Sequence, residues 1–398
     1  MNELLAPAGT LECAVAAFEA GADAVYAGVS RFNARERNRN FTYDEMSRLS
    51  RYTKDFGKKF YVTMNTLIKN DEIDDFTAEL ESLSRLEPDA LIVQDWGAVK
   101  ICRDFFPEFR LHASTQAGIH NRAGLRTAAR AGIARVILER QLTLTEIAAL
   151  AENRPTELEV FIHGALCCSL SGMCCFSSIQ GGFSGNRGKC KQPCRRLYRS
   201  ADNVRSPIFS PDDLQAVPLI HSLKQLGIDS FKIEGRLKRV DYVHKTVSTY
   251  RLLLDNDASD KKVIEEAERI LKGTAVRAVG IGFYDRKSRK TLLGKPSRQT
   301  GEAAAVLISA KGFRRTAKAL VEVKLGDKLR IGGASDARIV TLKRIESNGK
   351  AVSVVRPGRI FTFEAGFSMA EGKNSNEVVL YRVGAQIGKS PEFLERMK

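Results

Sequence analysis

Short apolar runs recur along the first two thirds of the chain. They fall at Glu3–Ala6, Ala24–Ala27, Phe60–Met64, Ala90–Val93, Arg110–Ala113, Arg135–Leu138, Leu158–Ile162 and Phe231–Ile233. Each has the length of a buried strand. Between them lie stretches whose apolar positions repeat with helical period. Leu11–Ala20, Tyr43–Phe56, Ile73–Leu86 and Leu144–Ala151 are the clearest. Strand alternating with helix implies a parallel sheet, because each crossover needs a covering helix. Eight such units in about 270 residues predict a closed (β/α)8 barrel. An open doubly wound sheet is the competing arrangement. Gly21 can end the first helix in a left-handed cap, and Gly132-Ile133-Ala134 repeats that pattern before the sixth strand.

A long insertion, residues 163–230, separates the seventh and eighth strands. It contains the Gly-rich run 181–188. Loops of this length inside a compact domain usually carry function. The texture changes after the barrel at residues 1–270. Residues 271–299, with the basic run Arg286–Arg298, are expected to be a linker. Residues 300–398 show short alternating runs at Ala304–Ile308, Ala319–Val323, Lys328–Ile331, Arg338–Ile345 and Ala351–Val355. These predict a small C-terminal antiparallel β-barrel. No internal repeat is apparent.

Composition narrows the class. The 398 residues are 43% hydrophobic and 28% charged, which excludes disorder for most of the chain. No apolar run reaches the ~18 residues of a membrane span. Met1-Asn2-Glu3 lacks the basic start and apolar core of a signal peptide, so a cytoplasmic location is expected. The net charge of +16 biases the protein toward polyanions, nucleic acid above all.

Active sites of such barrels gather at the C-terminal ends of the strands. There the sequence offers Asn65, Asp95, His112, Ser114, Gln116, Glu139, Arg140, His163, Glu234 and Arg236. Each has an ordinary alternative. His112 could be a core histidine, and Asp95 could cap the next helix. Glu139 with Arg140, and Glu234 with Arg236, could be simple ion pairs. Together they describe a small-molecule site. Arg140 and Arg236 suit carboxylate or phosphate, which guanidinium binds bidentately.

Six of the eight cysteines fall between Cys167 and Cys194. The spacing is Cys167-x6-Cys174-x15-Cys190-x3-Cys194, with Cys168 and Cys175 as adjacent doublets. Such a local cluster in a cytoplasmic chain reads as a metal site and not as a disulfide framework. Four thiolates can hold a [4Fe–4S] cluster or a zinc ion. The x6 spacing is loose for a zinc ribbon, and free thiols remain an alternative. The neighbouring Lys189, Lys191, Arg195 and Arg196 could offset cluster charge or face RNA.

The run Glu159–Cys167 followed by Gly172–Ser177 resembles the signature of the U32 (collagenase-like) peptidase family, with Phe176 where an aliphatic residue is usual. Leu5–Gly9, Gly21–Gly28, His112–Gln116 and Lys232–Arg236 extend the resemblance over residues 3–250. The resemblance implies one of three activities. Some members are described as collagenase-like proteases. Others hydroxylate an RNA base with prephenate, either the wobble uridine of transfer RNA or a cytidine of ribosomal RNA. A third group serves hydroxylation of non-RNA substrates. It also implies a [4Fe–4S] cluster on Cys167, Cys174, Cys190 and Cys194, unless a doublet partner substitutes. The stretch 177–195 resembles the ribosomal RNA branch more than the transfer RNA branch.

On that resemblance, Arg140 and Arg236 would hold the small carboxylic acid. Asn65, Asp95 and Gln116 would contact substrate. His112, Glu139 and Glu234 would handle protons. The β-module and Arg286–Arg298 would hold RNA. Proteolysis would need a nucleophile and a base, for which Ser114 with His112 and Cys167 with His163 are the candidates.

Overall fold

The computed structural model describes residues 2–36, 39–199, 203, 205–272, 274, 277–286, 302–331, 338–366 and 378–382. The eight anticipated strands form and close a parallel barrel. They are β1 (Glu3–Pro7), β2 (Ala24–Ala27), β3 (Lys59–Met64), β4 (Ala90–Val93), β5 (Leu111–Ala113), β6 (Ile133–Ile137), β7 (Glu157–Ala165) and β8 (Ser230–Ile233). They pair in sequence order, and β8 pairs with both β7 and β1, which excludes the open sheet. The helices sit where the apolar period places them, at Leu11–Glu19, Tyr43–Asp55, Ile73–Ser84 and Leu144–Ala151. Their starts are set locally. Thr42 with Glu45 and Thr143 with Glu146 form capping boxes, which satisfy orphan N–H groups at both helix starts.

The barrel interior is ionic as well as apolar. Arg135 on β6 donates to Glu3 at 2.5 Å, to Glu157 at 2.8 Å and to Glu159 at 3.3 Å. Lys232 on β8 donates to Glu159 at 2.9 Å. Arg135, Glu159 and Lys232 are buried. Removing one member would strand a buried charge, a loss of about 3–5 kcal/mol.

The long insertion is the β7-to-β8 connection. The strand β7 runs on to Ala165, where Asp213–Gln215 pairs with it antiparallel. The described residues between 166 and 212 therefore form a loop at the C-terminal end of the barrel. Two pieces of the anticipated linker also belong to the barrel unit. Val279–Gly280 pairs with Asp213–Leu214, and Tyr284 donates its hydroxyl to the Phe161 carbonyl at 2.5 Å. Of the basic run 286–298, all but Arg286 lies outside the described residues.

The described residues from 302 to 382 belong to a second unit with its own core of Leu307, Ala317, Leu329, Phe361, Phe363 and Leu380. Its main sheet is antiparallel, in the order 338–341, 328–331, 379–382, 302–311, 314–319, 360–364, 346–347, 350–351. Among the described residues no pairing closes it, so the anticipated barrel is a half-barrel sheet. The anticipated strand Ala319–Val323 straddles a strand end and the turn after it, and Ile360–Glu364 and Val379–Arg382 are additional. Among the described residues no helix is long and apolar enough to cross a membrane.

Candidate active site

A cavity of about 640 Å³ opens at the C-terminal ends of the strands. Its floor includes Asn65 after β3, Gln116 after β5, Arg140 after β6, and Glu234 and Arg236 after β8. The 166–212 loop supplies the opposite wall, including Cys167, Cys168, Cys174, Cys190 and Cys194. The loop is fastened at several points. Ser171 donates its N–H to Glu139 at 3.0 Å. Arg187 donates to both carboxylate oxygens of Glu72. Arg195 donates to the Leu166 carbonyl at 2.6 Å and to Ser210 at 2.9 Å. Gly172 lies so close to the barrel that a Cβ would stand 2.0 Å from the Gln116 carbonyl oxygen, and its φ of +78° also favours glycine.

Three arginines converge here. Glu234 accepts from Arg35 at 3.1 Å and from Arg140 at 3.3 Å. Arg140 also lies 4.0 Å above the Phe161 ring. Burial would raise the Glu234 pKa, but Arg35, Arg140 and Lys232 outweigh it and hold the group below the ordinary carboxylate value. Glu234 is thus a carboxylate at neutral pH. Arg236 is 7% exposed and donates to neutral oxygens only: Thr63 at 3.0 Å, Asn33 at 3.2 Å and Asn40 at 2.7 Å. Burial, with repulsion from Arg35, lowers its pKa to about 10, so it stays cationic at neutral pH. Its Nε is buried without a partner. Two of the three guanidiniums share one carboxylate and the third has none, and the excess positive charge suits an anion.

Neutral polar groups complete the floor. Asn65 accepts from the Ala34 N–H at 3.0 Å and reaches toward the Ser114 hydroxyl at 3.5 Å. The Gln116 side-chain oxygen is buried without a partner. The Gln116 oxygen is an acceptor left for a ligand hydroxyl or N–H group.

The cysteine doublets differ in setting. Cys167, Cys168, Cys174, Cys190 and Cys194 line the cavity, whereas Cys175 lies off it and starts the short helix Phe176–Ile179; Cys175 and Cys190 are the exposed members. Cys168 is hydrogen-bonded to Cys194. Cys190 lies beside Arg35. Among the described residues no three His, Cys, Asp or Glu side chains are drawn together as ligands of one metal ion. Cys167, Cys168, Cys174 and Cys194 nevertheless lie near enough to one another to interact electrostatically.

Three anticipated site residues lie elsewhere. Asp95 caps the helix Trp96–Phe105, accepting from Ala98 N–H at 3.0 Å, and takes a second bond from Ile68 N–H at 3.3 Å. Glu139 is buried and holds the cysteine loop through Ser171, with Thr115 donating to it at 3.3 Å. His112 is wholly buried in the barrel interior against Tyr61, with both ring nitrogens unpartnered. Burial and the Arg135 charge push its pKa well below the usual value, which keeps it neutral. Neither candidate dyad forms. His112 makes no bond to Ser114, and His163 is turned to Tyr250, 3.1 Å away, with burial lowering its pKa to about 3. Arg35 was not anticipated from the sequence.

The chain is similar in sequence to known proteins. Residues 9–293 match Peptidase family U32. An uncharacterized protease of Methanocaldococcus jannaschii is 32% identical over 90% of this chain and 93% of its own length. Transfer RNA hydroxylation protein P of Escherichia coli is 29% identical over 90% of this chain and 92% of its own. The 23S rRNA 5-hydroxycytidine C2501 synthase of Escherichia coli is 35% identical over 69% of this chain, but over only 42% of its own length. The protein belongs to peptidase family U32.

Proposed function

We propose that this protein is an iron–sulfur enzyme that hydroxylates a base in RNA, using a small carboxylic acid such as prephenate. The observation that carries the reading is one cavity lined on one side by Cys167, Cys174, Cys190 and Cys194 and on the other by Arg35, Arg140 and Arg236. A peptidase would need an activated nucleophile, and both candidate pairs are broken apart. The relatives named for RNA hydroxylation support the reaction class. Coverage of both chains nearly end to end favours transfer RNA as the substrate, against the local resemblance of residues 177–195 to the ribosomal branch.

The residues fit their roles chemically. Four thiols along one wall, flanked by Lys189, Lys191, Arg195 and Arg196, suit an anionic thiolate-bound [4Fe–4S] cluster. Such a cluster supplies redox or Lewis-acid chemistry when bound. Arg236 receives a carboxylate, since it is a buried cation held only by neutral oxygens. Glu234 sets the directions of Arg35 and Arg140 and stays ionised, so it orients and does not donate a proton. Asn65 and Gln116 hydrogen-bond the remaining polar groups of the ligand.

The test combines two assays. Protein purified without oxygen should carry about four irons and four sulfides per chain. RNA from cells lacking the gene should lose one hydroxylated nucleoside, restored by the wild-type gene and not by Arg236→Ala. Intact modification in the deletion strain, with peptide cleavage by the purified protein, would reverse the assignment.

A further inference from the structure

The loop that carries the cysteines has a second property. Residues 166–200 contain Arg187, Lys189, Lys191, Arg195, Arg196 and Arg199, and no Asp or Glu. Arg187 is tied to Glu72, but Arg196 and Arg199 are exposed, and Arg196 lines the cavity. The same loop presents apolar side chains to solvent. Ile179 is 82% exposed, Met173 58% and Ile208 48%.

Within this cationic surface stand three aromatic rings. Phe176 lines the cavity. Its ring lies 5.5 Å from Phe209 and 6.2 Å from Tyr198, and Tyr198 and Phe209 meet edge to face at 5.2 Å. The Tyr198 hydroxyl is anchored to the Pro193 carbonyl at 2.8 Å, one residue from Cys194. Phe209 remains 40% exposed, so the cluster is not a closed core. Aromatic faces among guanidiniums, with no carboxylate in residues 166–200 and with Asp212 and Asp213 beyond Phe209 buried, match an unpaired nucleic acid strand: bases stack and phosphates meet the cations. A protein partner would call for a surface less uniformly positive.

We propose that Phe176, Tyr198 and Phe209, with Arg196 and Arg199, form the platform on which an unpaired stretch of RNA lies, a base stacking on Phe209 while its neighbour enters the cavity past Phe176. This rests on the RNA reading of the site, and it names the surface that selects single-stranded over paired RNA. A base must leave its stack to reach a cavity of this kind, and a stacking partner at the mouth stabilises that state.

The test is binding of a fluorescent ten-nucleotide single-stranded RNA and its duplex form to the full-length, anaerobically purified protein. Wild type should prefer the single strand. Phe209→Ala should weaken single-strand binding about tenfold or more, as loss of one stacked base implies, while Phe209→Trp should retain it. Arg196→Ala with Arg199→Ala should lower the salt dependence of binding by about one released ion per guanidinium. Both are surface changes, and unchanged iron content and melting temperature would show the loop intact. Phe105→Ala, at an exposed site on the helix Trp96–Phe105, is the control. RNA binding by wild type that neither the Phe209 nor the arginine variants alter would overturn the platform and leave the RNA reading standing. Wild type that binds neither RNA form would overturn both.

Discussion

Gly28 faces the guanidinium of Arg236 so closely that a Cβ there would lie 2.8 Å from both terminal nitrogens. The absence of a side chain is what lets Arg236 lie flat in the barrel mouth, bonded to Thr63, Asn33 and Asn40. Gly28→Ala should therefore push the guanidinium off those oxygens. Overpacking of this kind costs about 1–3 kcal/mol. Carboxylic acid binding, measured by calorimetry, should weaken about tenfold or more, as Arg236→Ala should weaken it further. Unaltered acid affinity in both variants would remove Arg236 from the anion site.

Glu234 competes with the ligand for two of the three arginines. Glu234→Gln should free Arg35 and Arg140, tightening binding of a small dicarboxylate while turnover falls, because the arginines lose their orientation. The pH profile has a defined sign. The folded pKa of Glu234 lies below its ordinary value of 4.5, so the stability it contributes is complete above that value and fades as pH falls through the folded pKa. Acid unfolding monitored by circular dichroism should be less steep below pH 4.5 in Glu234→Gln than in wild type. Identical acid limbs would show that the carboxylate is not held ionised by its neighbours.

Cysteine substitutions should separate into two classes. Serine at Cys167, Cys174, Cys190 or Cys194 should abolish iron retention. Serine at Cys175, which is exposed and lies off the cavity wall, should leave iron unchanged. Iron and sulfide analysis reads both classes. Loss of iron in Cys175→Ser with retention in Cys174→Ser would shift the ligand by one residue.

Glu139 should matter for the loop and not for proton transfer. Glu139→Ala leaves the buried Ser171 N–H without an acceptor, which costs about 1–3 kcal/mol. The melting temperature should fall and the loop should become protease-sensitive near Ser171. Glu139→Gln keeps a side-chain oxygen and should restore most of both. Equal loss of activity in the two variants, without a fall in melting temperature, would return Glu139 to the chemistry.

The barrel was legible because its strands are buried apolar runs separated by amphipathic helices with capping signals. The second unit was less so. Its strands are short and half exposed, and Ile360–Glu364 alternates cleanly but lies beyond the last anticipated run, Ala351–Val355. The cysteine wall and the arginines after β6 and β8 could be read from strand ends. Arg35 could not, because the stretch from Arg31 to Arg39 has several arginines and no apolar period to say which one turns inward. Asp95 and a substrate ligand look alike in sequence, since both are carboxylates just past a strand. His112 lies within β5 and not beyond its end, and the barrel closes over it.

The most direct test of the account is nucleoside mass spectrometry of transfer and ribosomal RNA from a strain lacking this gene, complemented with wild type or with Cys190→Ser. The account predicts that one hydroxylated nucleoside disappears in the deletion, returns with wild type and stays absent with Cys190→Ser. An unchanged nucleoside profile in all three strains would contradict it.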